Sequence, residues 1–161
     1  MGLVIFAIDP GNIESGYAIV EMPECRIIES GKVENEVLLE KLFPFRDADC
    51  LAIEMIASYG MPVGRDVFET CLWIGRFTQV AIEQGVQLDY IYRREEKLCL
   101  CGSPKAKDAN VKQALIDRYA KHDYKSGKGI KKNPDTFYGV SKDAWQAIAV
   151  AVTRFEKEEY E

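Results

Sequence analysis

Three acidic residues lie in apolar surroundings at widely separated points of the chain. Asp9 ends the apolar run of residues 3–8, and Glu54 lies in the middle of the apolar segment LAIEMI. Asp143 is followed by nine residues that include only one polar side chain, Gln146. An ionised carboxylate in a buried setting is costly unless it is paired or binds a cation. These three acids are therefore the first candidates for chemistry.

Each of the three acids also has an ordinary structural explanation. The sequence Asp-Pro-Gly at residues 9–11 is typical of a tight turn. Glu54 would point into solvent if its sheet were exposed, although a run that is apolar on both alternations predicts a strand covered on both faces. Asp143 would complement the dipole of a helix that begins beside it.

The three acids meet only if the strands carrying Asp9 and Glu54 are neighbours and the last helix packs over them. Such a cluster of like charges repels itself, so it needs a cation. Mg²⁺, for which Mn²⁺ can substitute, is a hard ion that takes carboxylate oxygens and water as ligands. Two such ions about 4 Å apart can activate a water and stabilise the leaving oxygen of a phosphodiester.

The hydrophobic pattern predicts the elements that must position these acids. Apolar runs predict five strands, at residues 3–8, 17–21, 25–33, 49–57 and 88–92. Helical spacing and capping residues predict four helices, at residues 34–45, 65–84 and 103–119 and from Ser141 onward. This order predicts an α/β fold in one domain over residues 1–161, with a mixed five-stranded sheet and helices on both faces.

Composition argues against a membrane protein and against a disulfide framework. The 161 residues are 47% hydrophobic, but no segment approaches the length of a membrane span. No basic region precedes the first strand, so we expect no signal peptide. Five irregularly spaced cysteines suit a reducing cytosol. Cys99 and Cys101 form a close pair, but with His122 as the only histidine they predict thiols rather than a zinc site. We therefore expect a cytoplasmic protein.

Charge is distributed unevenly along the chain. The formal net charge is −5, yet residues 93–132 contain twelve Lys or Arg against five Asp or Glu. Lys105, Lys107 and Lys112 recur along one region of a predicted helix, whose N-terminus also attracts phosphate. A basic stripe on an acidic body is an electrostatic footprint for nucleic acid. Ordinary solvated lysines would give the same composition.

Three blocks of the sequence together resemble the signature blocks of RuvC-type Holliday junction resolvases, of the RNase H-like superfamily. The blocks are AIDPGNIESGYAIV, LAIEMI and SKDAWQAIAVAVT, in the family's order and at similar spacing. The resemblance implies an RNase H-like fold in which Asp9, Glu54 and Asp143 are the catalytic residues and metal ligands, with Mg²⁺ as cofactor. One helical turn before the last acid the family usually carries a fourth acid or histidine. Here that position is Val140, and Asp135 is a candidate replacement.

The resemblance also implies a substrate and an assembly. It implies a crossover junction endodeoxyribonuclease that binds branched DNA and cuts four-way junctions as a homodimer. The long predicted helix would supply the dimer interface through its apolar residues Phe68, Leu72 and Phe77. Tyr59 stands where such resolvases place residues that probe the junction, although a surface tyrosine packed on the long helix is the favoured interpretation. Lys107 best matches a family lysine that contacts the scissile strand.

Two other functions fit the same sequence. Val140 favours a non-catalytic nucleic-acid-binding module on the same fold. An RNase H-like nuclease acting on RNA-containing substrates is the other alternative, because recognition of the 2′-hydroxyl depends on geometry that a sequence does not show. A compact chain of this kind also suits a phage or prophage version of the family.

Overall fold

A five-stranded sheet forms the centre of the fold. The computed structural model describes residues 2–46 and 48–160, with side chains as far as residue 158. The strands are β1 (Leu3–Asp9), β2 (Glu14–Met22), β3 (Arg26–Glu34), β4 (Cys50–Met55) and β5 (Gln87–Tyr92). They lie in the order β3-β2-β1-β4-β5, and β1 pairs antiparallel with β2 and parallel with β4. The five predicted strands and the mixed sheet are confirmed.

Five α-helices and a short hairpin complete the described part of the chain. The helices are α1 (Asn35–Leu42), α2 (Arg65–Glu83), α3 (Arg93–Cys101), α4 (Asp108–Tyr119) and α5 (Trp145–Tyr160), the last preceded by a 3₁₀ turn, Lys142–Ala144. Two-residue strands β6 (Gly129–Ile130) and β7 (Asn133–Pro134) pair within the loop before that turn. None of these helices is long and apolar enough to cross a membrane.

Alternating side chains of the sheet build two cores, one on each face. On β1, Ile5 and Ala7 pack in the core that includes buried residues of α3, α4 and α5. Phe6 and Ile8 point the other way, into the core with α1 and α2. Both faces of the central strand are therefore covered, which explains why its sequence is continuously apolar. The prediction of helices on both faces is confirmed.

The connection between β5 and α4 differs from the prediction. Residues 93–101 form α3, which the sequence pattern did not predict, and it ends at Gly102 with φ 73°. Ser103 and the two residues after it form a turn instead of a helix start, because the Ala106 N–H donates to the Ser103 carbonyl at 3.2 Å. Helix α4 begins at Asp108, with the Asn110 side chain accepting from the Lys107 N–H at 2.9 Å.

The apolar residues of α2 divide between two opposite faces. Phe77 is fully buried against the sheet, whereas Phe68 and Leu72 are 61% and 69% exposed. Nine residues separate the two phenylalanines, and at 100° per residue this places them on opposite sides of a helix. The prediction that Phe77 contributes to a dimer interface was therefore wrong, since that side chain belongs to the core.

We expect two copies of the chain to associate through the exposed pair Phe68 and Leu72. Association would remove the apolar surface of both side chains from water, which is favourable. Light scattering at micromolar concentration should then give about twice the chain mass of 18.2 kDa. The double substitution F68K/L72K should give the single-chain mass. As a control, Ile130→Lys also charges an exposed apolar position but lies elsewhere, and it should keep the larger mass. A monomeric parent protein, or a dimeric double variant, would contradict this interface.

Candidate functional site

The pairing of β1 with β4 brings Asp9 and Glu54 together. Ile8 lies opposite Ile53 in the parallel register, so the next residue of each strand is Asp9 or Glu54. Alternation directs both side chains to the α5 face of the sheet, the face that Ala7 also occupies. The two carboxyl groups lie within hydrogen-bonding distance of each other. Two of the three predicted acids are thus in direct contact.

Three side chains from α3 and α5 surround the Glu54 carboxylate. The Arg93 Nε donates to Glu54 Oε1 at 3.3 Å, and the Gln146 Nε2 donates to the same oxygen at 2.9 Å. Gln146 also donates to Oε1 of Glu96, at 2.5 Å. Glu96 is fully buried, and Glu54 is 7% exposed. One amide therefore bridges two buried carboxyl groups, and one guanidinium supplies the neighbouring positive charge.

Asp143 lies at the mouth of the same site. A glycine at position 16 allows this approach, because a Cβ atom there would come within 2.6 Å of the Asp143 carbonyl oxygen. Gly16 is also the register partner of Asp9, so the 3₁₀ turn is seated directly beside the end of β1. The Asp143 side chain is half exposed, and its Oδ1 lies 3.6 Å from Lys32 Nζ. It shares a cavity with Asp9 rather than contacting Glu54.

Burial and mutual repulsion perturb these carboxyl groups strongly. Burial and the adjacent Glu54 raise the pKa of Asp9 to about 8. Burial and the same neighbour raise the pKa of Glu96 to about 11. Burial also opposes ionisation of Glu54, but hydrogen bonds from Glu96 and Asp9 and the charge of Arg93 outweigh it, so the pKa of Glu54 falls below its ordinary value. Burial and repulsion therefore favour the neutral forms of Asp9 and Glu96, and the charge of the cluster is concentrated on Glu54.

Asp9 and Asp143 line a cavity of about 450 Å³ whose lining also includes four basic side chains. Its basic lining residues are Lys32, Arg93, Lys112 and Lys142. These residues come from β3, α3, α4 and the 3₁₀ turn, and so from four separate parts of the chain. An acidic floor with a basic rim can bind a metal ion together with a phosphate group.

The carboxylate oxygens of Asp9 and Glu54 are of the kind that a hard divalent cation prefers, but their arrangement is not that of a complete metal site. Asp9 and Glu54 offer carboxylate oxygens in contact, in a place where like charges are costly. Across residues 2–46 and 48–160, no group of three or more His, Cys, Asp or Glu side chains is arranged to hold a metal ion. Binding would therefore require side-chain rotation, and Arg93 is the group that must leave Glu54.

The two positions considered for a fourth ligand both lie outside the cluster. Val140 is 2% exposed and packs in the core. The Asp135 carboxylate accepts hydrogen bonds from four backbone N–H groups, those of Lys121, His122, Asp123 and Thr136. Although burial opposes it, these donors hold the pKa of Asp135 well below its usual range. Asp135 therefore organises the loop after α4, and its candidacy as a ligand was wrong.

The predicted DNA-binding residues lie around the cavity and beside it. Lys112 lines the cavity, with its Nζ 5.0 Å from the Trp145 ring centroid. Lys105 lines a neighbouring pocket with Tyr59, and Lys107 lies at the start of α4. The Tyr59 side chain is 61% exposed rather than packed on α2. All three lysines are exposed.

Sequence analysis missed Arg93 and Glu96 as members of the site, and it noted Gln146 only as an isolated polar residue. The segment RREEKLCLC is too polar to predict a buried helix face. Once α3 is known, Glu96 and Leu100 share one side at i and i+4, and both are buried. Gln146 is the one polar residue in the apolar run 144–152, and its position there could have indicated a functional role.

Comparison with known proteins identifies the fold. No protein-family model and no curated protein matches the chain in sequence. RuvC of Thermus thermophilus has a similar structure, with a TM-score of 0.72 and 19% identity over 98% of this chain and 96% of that chain. T. thermophilus RuvC in complex with a Holliday junction substrate gives the same values. The RNase H-like fold is confirmed, and the predicted likeness to RuvC-type resolvases holds at the level of the fold.

The raised pKa of Asp9 predicts a pH-dependent stability of the metal-free protein. Its folded-state pKa of about 8 exceeds the ordinary value of 3.8, so between those values the folded state holds a proton that the unfolded state has lost. This contribution to stability is complete below about pH 4 and is lost as the pH rises towards 8. Asp9→Asn cannot ionise, so its advantage over the parent protein in EDTA should grow by about 1 kcal/mol or more from pH 5 to pH 8.

Urea unfolding at a series of pH values measures this difference. Asp117→Asn, at an exposed position on α4, should follow the parent profile throughout. An Asp9→Asn advantage that stays constant with pH would mean that Asp9 ionises normally.

Proposed function

We propose that this chain is a metal-dependent, structure-selective endonuclease that hydrolyses phosphodiesters of branched DNA, with four-way junctions as its substrate. The observation that carries the proposal is the contact between the Asp9 and Glu54 carboxyl groups, in a fold shared with RuvC over nearly the whole chain. That fold binds a Holliday junction substrate in the T. thermophilus protein. The basic rim of the cavity that Asp9 and Asp143 line supports a phosphate-containing substrate here.

Asp9, Glu54 and Asp143 would hold Mg²⁺ or Mn²⁺. When bound, the metal would activate the attacking water and stabilise the leaving oxygen of the phosphodiester. Asp143 reaches the cavity from the 3₁₀ turn, on the opposite side from β4. Gln146 donates a hydrogen bond to one oxygen of Glu54 and so limits the rotation of that carboxylate. The Glu54 carboxylate would then orient the attacking water.

The basic rim would bind and orient the scissile phosphate. Lys32, Lys112 and Lys142 reach the cavity from different elements, so they can contact a phosphate from several sides. When no metal ion is bound, the Arg93 guanidinium neutralises the charge of Glu54. Its side chain is half exposed, so it can turn from the carboxylate to a DNA phosphate without crossing the core.

A second pocket extends the binding surface beyond the acids. It has a volume of about 300 Å³ and includes Tyr59, Arg94, Lys97 and Lys105 among its lining residues. The Arg94 guanidinium lies 5.8 Å from the Tyr59 ring centroid. An exposed aromatic ring beside cations suits an unpaired base stacked next to its phosphate. Because Arg93 lines both cavities, the two pockets adjoin.

Two copies joined through α2 would supply the two symmetric cuts that resolution of a four-way junction requires. The exposed α2 pair Phe68 and Leu72 comes from the face opposite Phe77, so dimerisation would leave the core of each copy unchanged. Each copy would retain its own cavity, since Asp9, Asp143 and the basic rim belong to one chain.

Removing any one acid should abolish cutting while preserving binding. Asp9→Asn, Glu54→Gln and Asp143→Asn should each bind four-way junctions but cut them at least about 10³-fold more slowly than the parent protein in Mg²⁺ or Mn²⁺. Binding persists because the basic rim is intact and negative charge has been removed. Gel-shift and single-turnover cleavage assays on the same labelled junction give both quantities.

Asp117→Asn serves as the matched control, and it should cut at the parent rate. A parent protein that binds junctions but never cuts them with either metal would instead be a non-catalytic binding module. A parent protein that cuts RNA–DNA hybrids in preference to junctions would be an RNase H-like nuclease that acts on RNA-containing substrates.

The salt dependence of binding tests the predicted lysines. Replacing Lys105, Lys107 and Lys112 together by Ala should weaken junction binding and reduce the slope of log K against log salt by up to about 2.7, since each phosphate contact contributes about 0.9. A charge-matched control replaces basic residues that do not line the cavity: Arg26, Lys41 and Lys157. An unchanged slope in the first triple variant would show that these lysines are only a solvated surface.

A further inference from the structure

The loop that contains β6 and β7 carries positive charge without acidic partners for it. Residues 123–135, which we call the basic hairpin, contain four lysines and two aspartates. Lys125, Lys131 and Lys132 are exposed, and Lys128 is partly exposed. Within the part of the chain that the structure describes, none of these four lysines forms an ion pair. The basic hairpin therefore presents unneutralised charge to solvent.

Both aspartates of the basic hairpin are bonded to the backbone of the loop itself. The Asp123 carboxylate accepts from the backbone N–H groups of Ser126 at 3.1 Å and Gly129 at 2.9 Å. It also accepts from the Ser126 hydroxyl, and these bonds hold the pKa of Asp123 well below its usual range. Asp135 likewise accepts from four backbone N–H groups. The two acids therefore organise the loop and leave its lysines without a counter-charge.

The basic hairpin has a defined conformation and is anchored in the core. Gly129 has φ 66°, and a Cβ atom there would come within 2.4 Å of the Asn133 carbonyl oxygen. The Phe137 N–H donates to the Gly127 carbonyl at 2.9 Å, which ties the base of the hairpin to a fully buried side chain. The lysines thus project from a preorganised support, so that binding would not have to order the loop first.

The basic hairpin lies beside the cavity that contains the candidate site. The Phe137 ring packs against Trp145, with 4.6 Å between the ring centroids, and Trp145 lines that cavity. On α4, Lys112 lines the cavity, and the next residue, Gln113, donates to the Tyr124 carbonyl of the hairpin at 3.3 Å. None of residues 123–135 lines the cavity itself. The hairpin is therefore a separate basic surface next to the site.

We propose that the basic hairpin binds the phosphates of a duplex arm of the DNA substrate, where that arm extends beyond the cavity. The inference rests on the proposed function for the identity of the substrate. Lysine ammonium groups act as point charges toward phosphate, and such contacts position a duplex without reading its sequence. The hairpin would thus hold an arm while Lys32, Lys112 and Lys142 engage the phosphate in the cavity.

The triple variant K125A/K131A/K132A tests this contact by its binding in EDTA, which prevents cutting. It should bind a linear duplex and a four-way junction by similar factors more weakly than the parent protein, each at least about 10-fold. The slope of log K against log salt should fall by up to about 2.7, since each phosphate contact contributes about 0.9. Both substrates are affected because an arm is ordinary duplex.

The control variant R26A/K41A/K157A removes the same charge at positions outside the hairpin, and it should keep the parent affinity and slope within about twofold and about 0.5. An unchanged affinity and slope in the hairpin variant would overturn the proposal. A loss confined to the junction would also overturn it, because the hairpin would then contact the crossover and not an arm.

Lysine acetylation of the parent protein gives a second measurement that does not depend on the folding of a variant. Bound linear duplex should slow the acetylation of Lys125, Lys131 and Lys132 at least about fivefold and leave Lys41 and Lys157 unchanged, since a phosphate contact shields the amine. Mass spectrometry of the digested protein measures each site. Equal acetylation of the three hairpin lysines with and without DNA would overturn the proposal.

Junction cleavage by the parent protein in Mg²⁺ is scored separately, so the two proposals can fail independently. Weaker DNA binding by the hairpin variant, without any cleavage by the parent, supports the hairpin contact and refutes the nuclease. Cleavage by the parent with unchanged binding by the hairpin variant supports the nuclease and refutes the hairpin contact.

Discussion

The contact between the carboxyl groups of Asp9 and Glu54 is the constraint on which the rest of this structure depends. Two acids at the ends of adjacent parallel strands repel each other, and burial increases the cost of their charge. The surrounding elements reduce that cost in three ways. Arg93 supplies a positive charge, Gln146 supplies hydrogen bonds, and the raised pKa of Asp9 favours its neutral form. Each of these is replaceable by a bound cation.

This arrangement exchanges stability for function. Hydrophobic residues at the same positions would extend the core on the α5 face without an electrostatic cost. The fold tolerates the acids because they lie at the C-terminal ends of β1 and β4, where α5 begins, while the cores on the two faces of the sheet remain apolar. Gly16 allows the third acid, Asp143, to lie beside this site. The absence of its Cβ lets the 3₁₀ turn bring Asp143 beside β1.

Much of the fold and part of the site could be predicted from sequence. Continuous apolar runs located all five strands, and alternation along β1 and β4 is enough to place Asp9 and Glu54 on one face once those strands are neighbours. The same helical arithmetic that predicted α2 also separates Phe68 from Phe77, so that error was avoidable. Each of these inferences needed only periodicity within one element.

The rest depended on contacts between elements. Arg93 and Glu96 lie on a helix whose sequence is mostly polar, and nothing local distinguishes the buried Glu96 from the exposed side of α3. Asp135 is held by backbone donors from two loop segments, and those become adjacent only in the folded chain. Its role therefore had no signal in the order of the residues.

A crystal of the protein soaked in Mn²⁺ and measured at the manganese absorption edge tests the central claim most directly. The claim predicts an anomalous peak between the carboxyl groups of Asp9 and Glu54, with the Arg93 side chain no longer bonded to Glu54. A map without a peak there, with Arg93 still paired to Glu54 at millimolar Mn²⁺, would contradict it. The acids would then be a self-contained charge network rather than a metal centre.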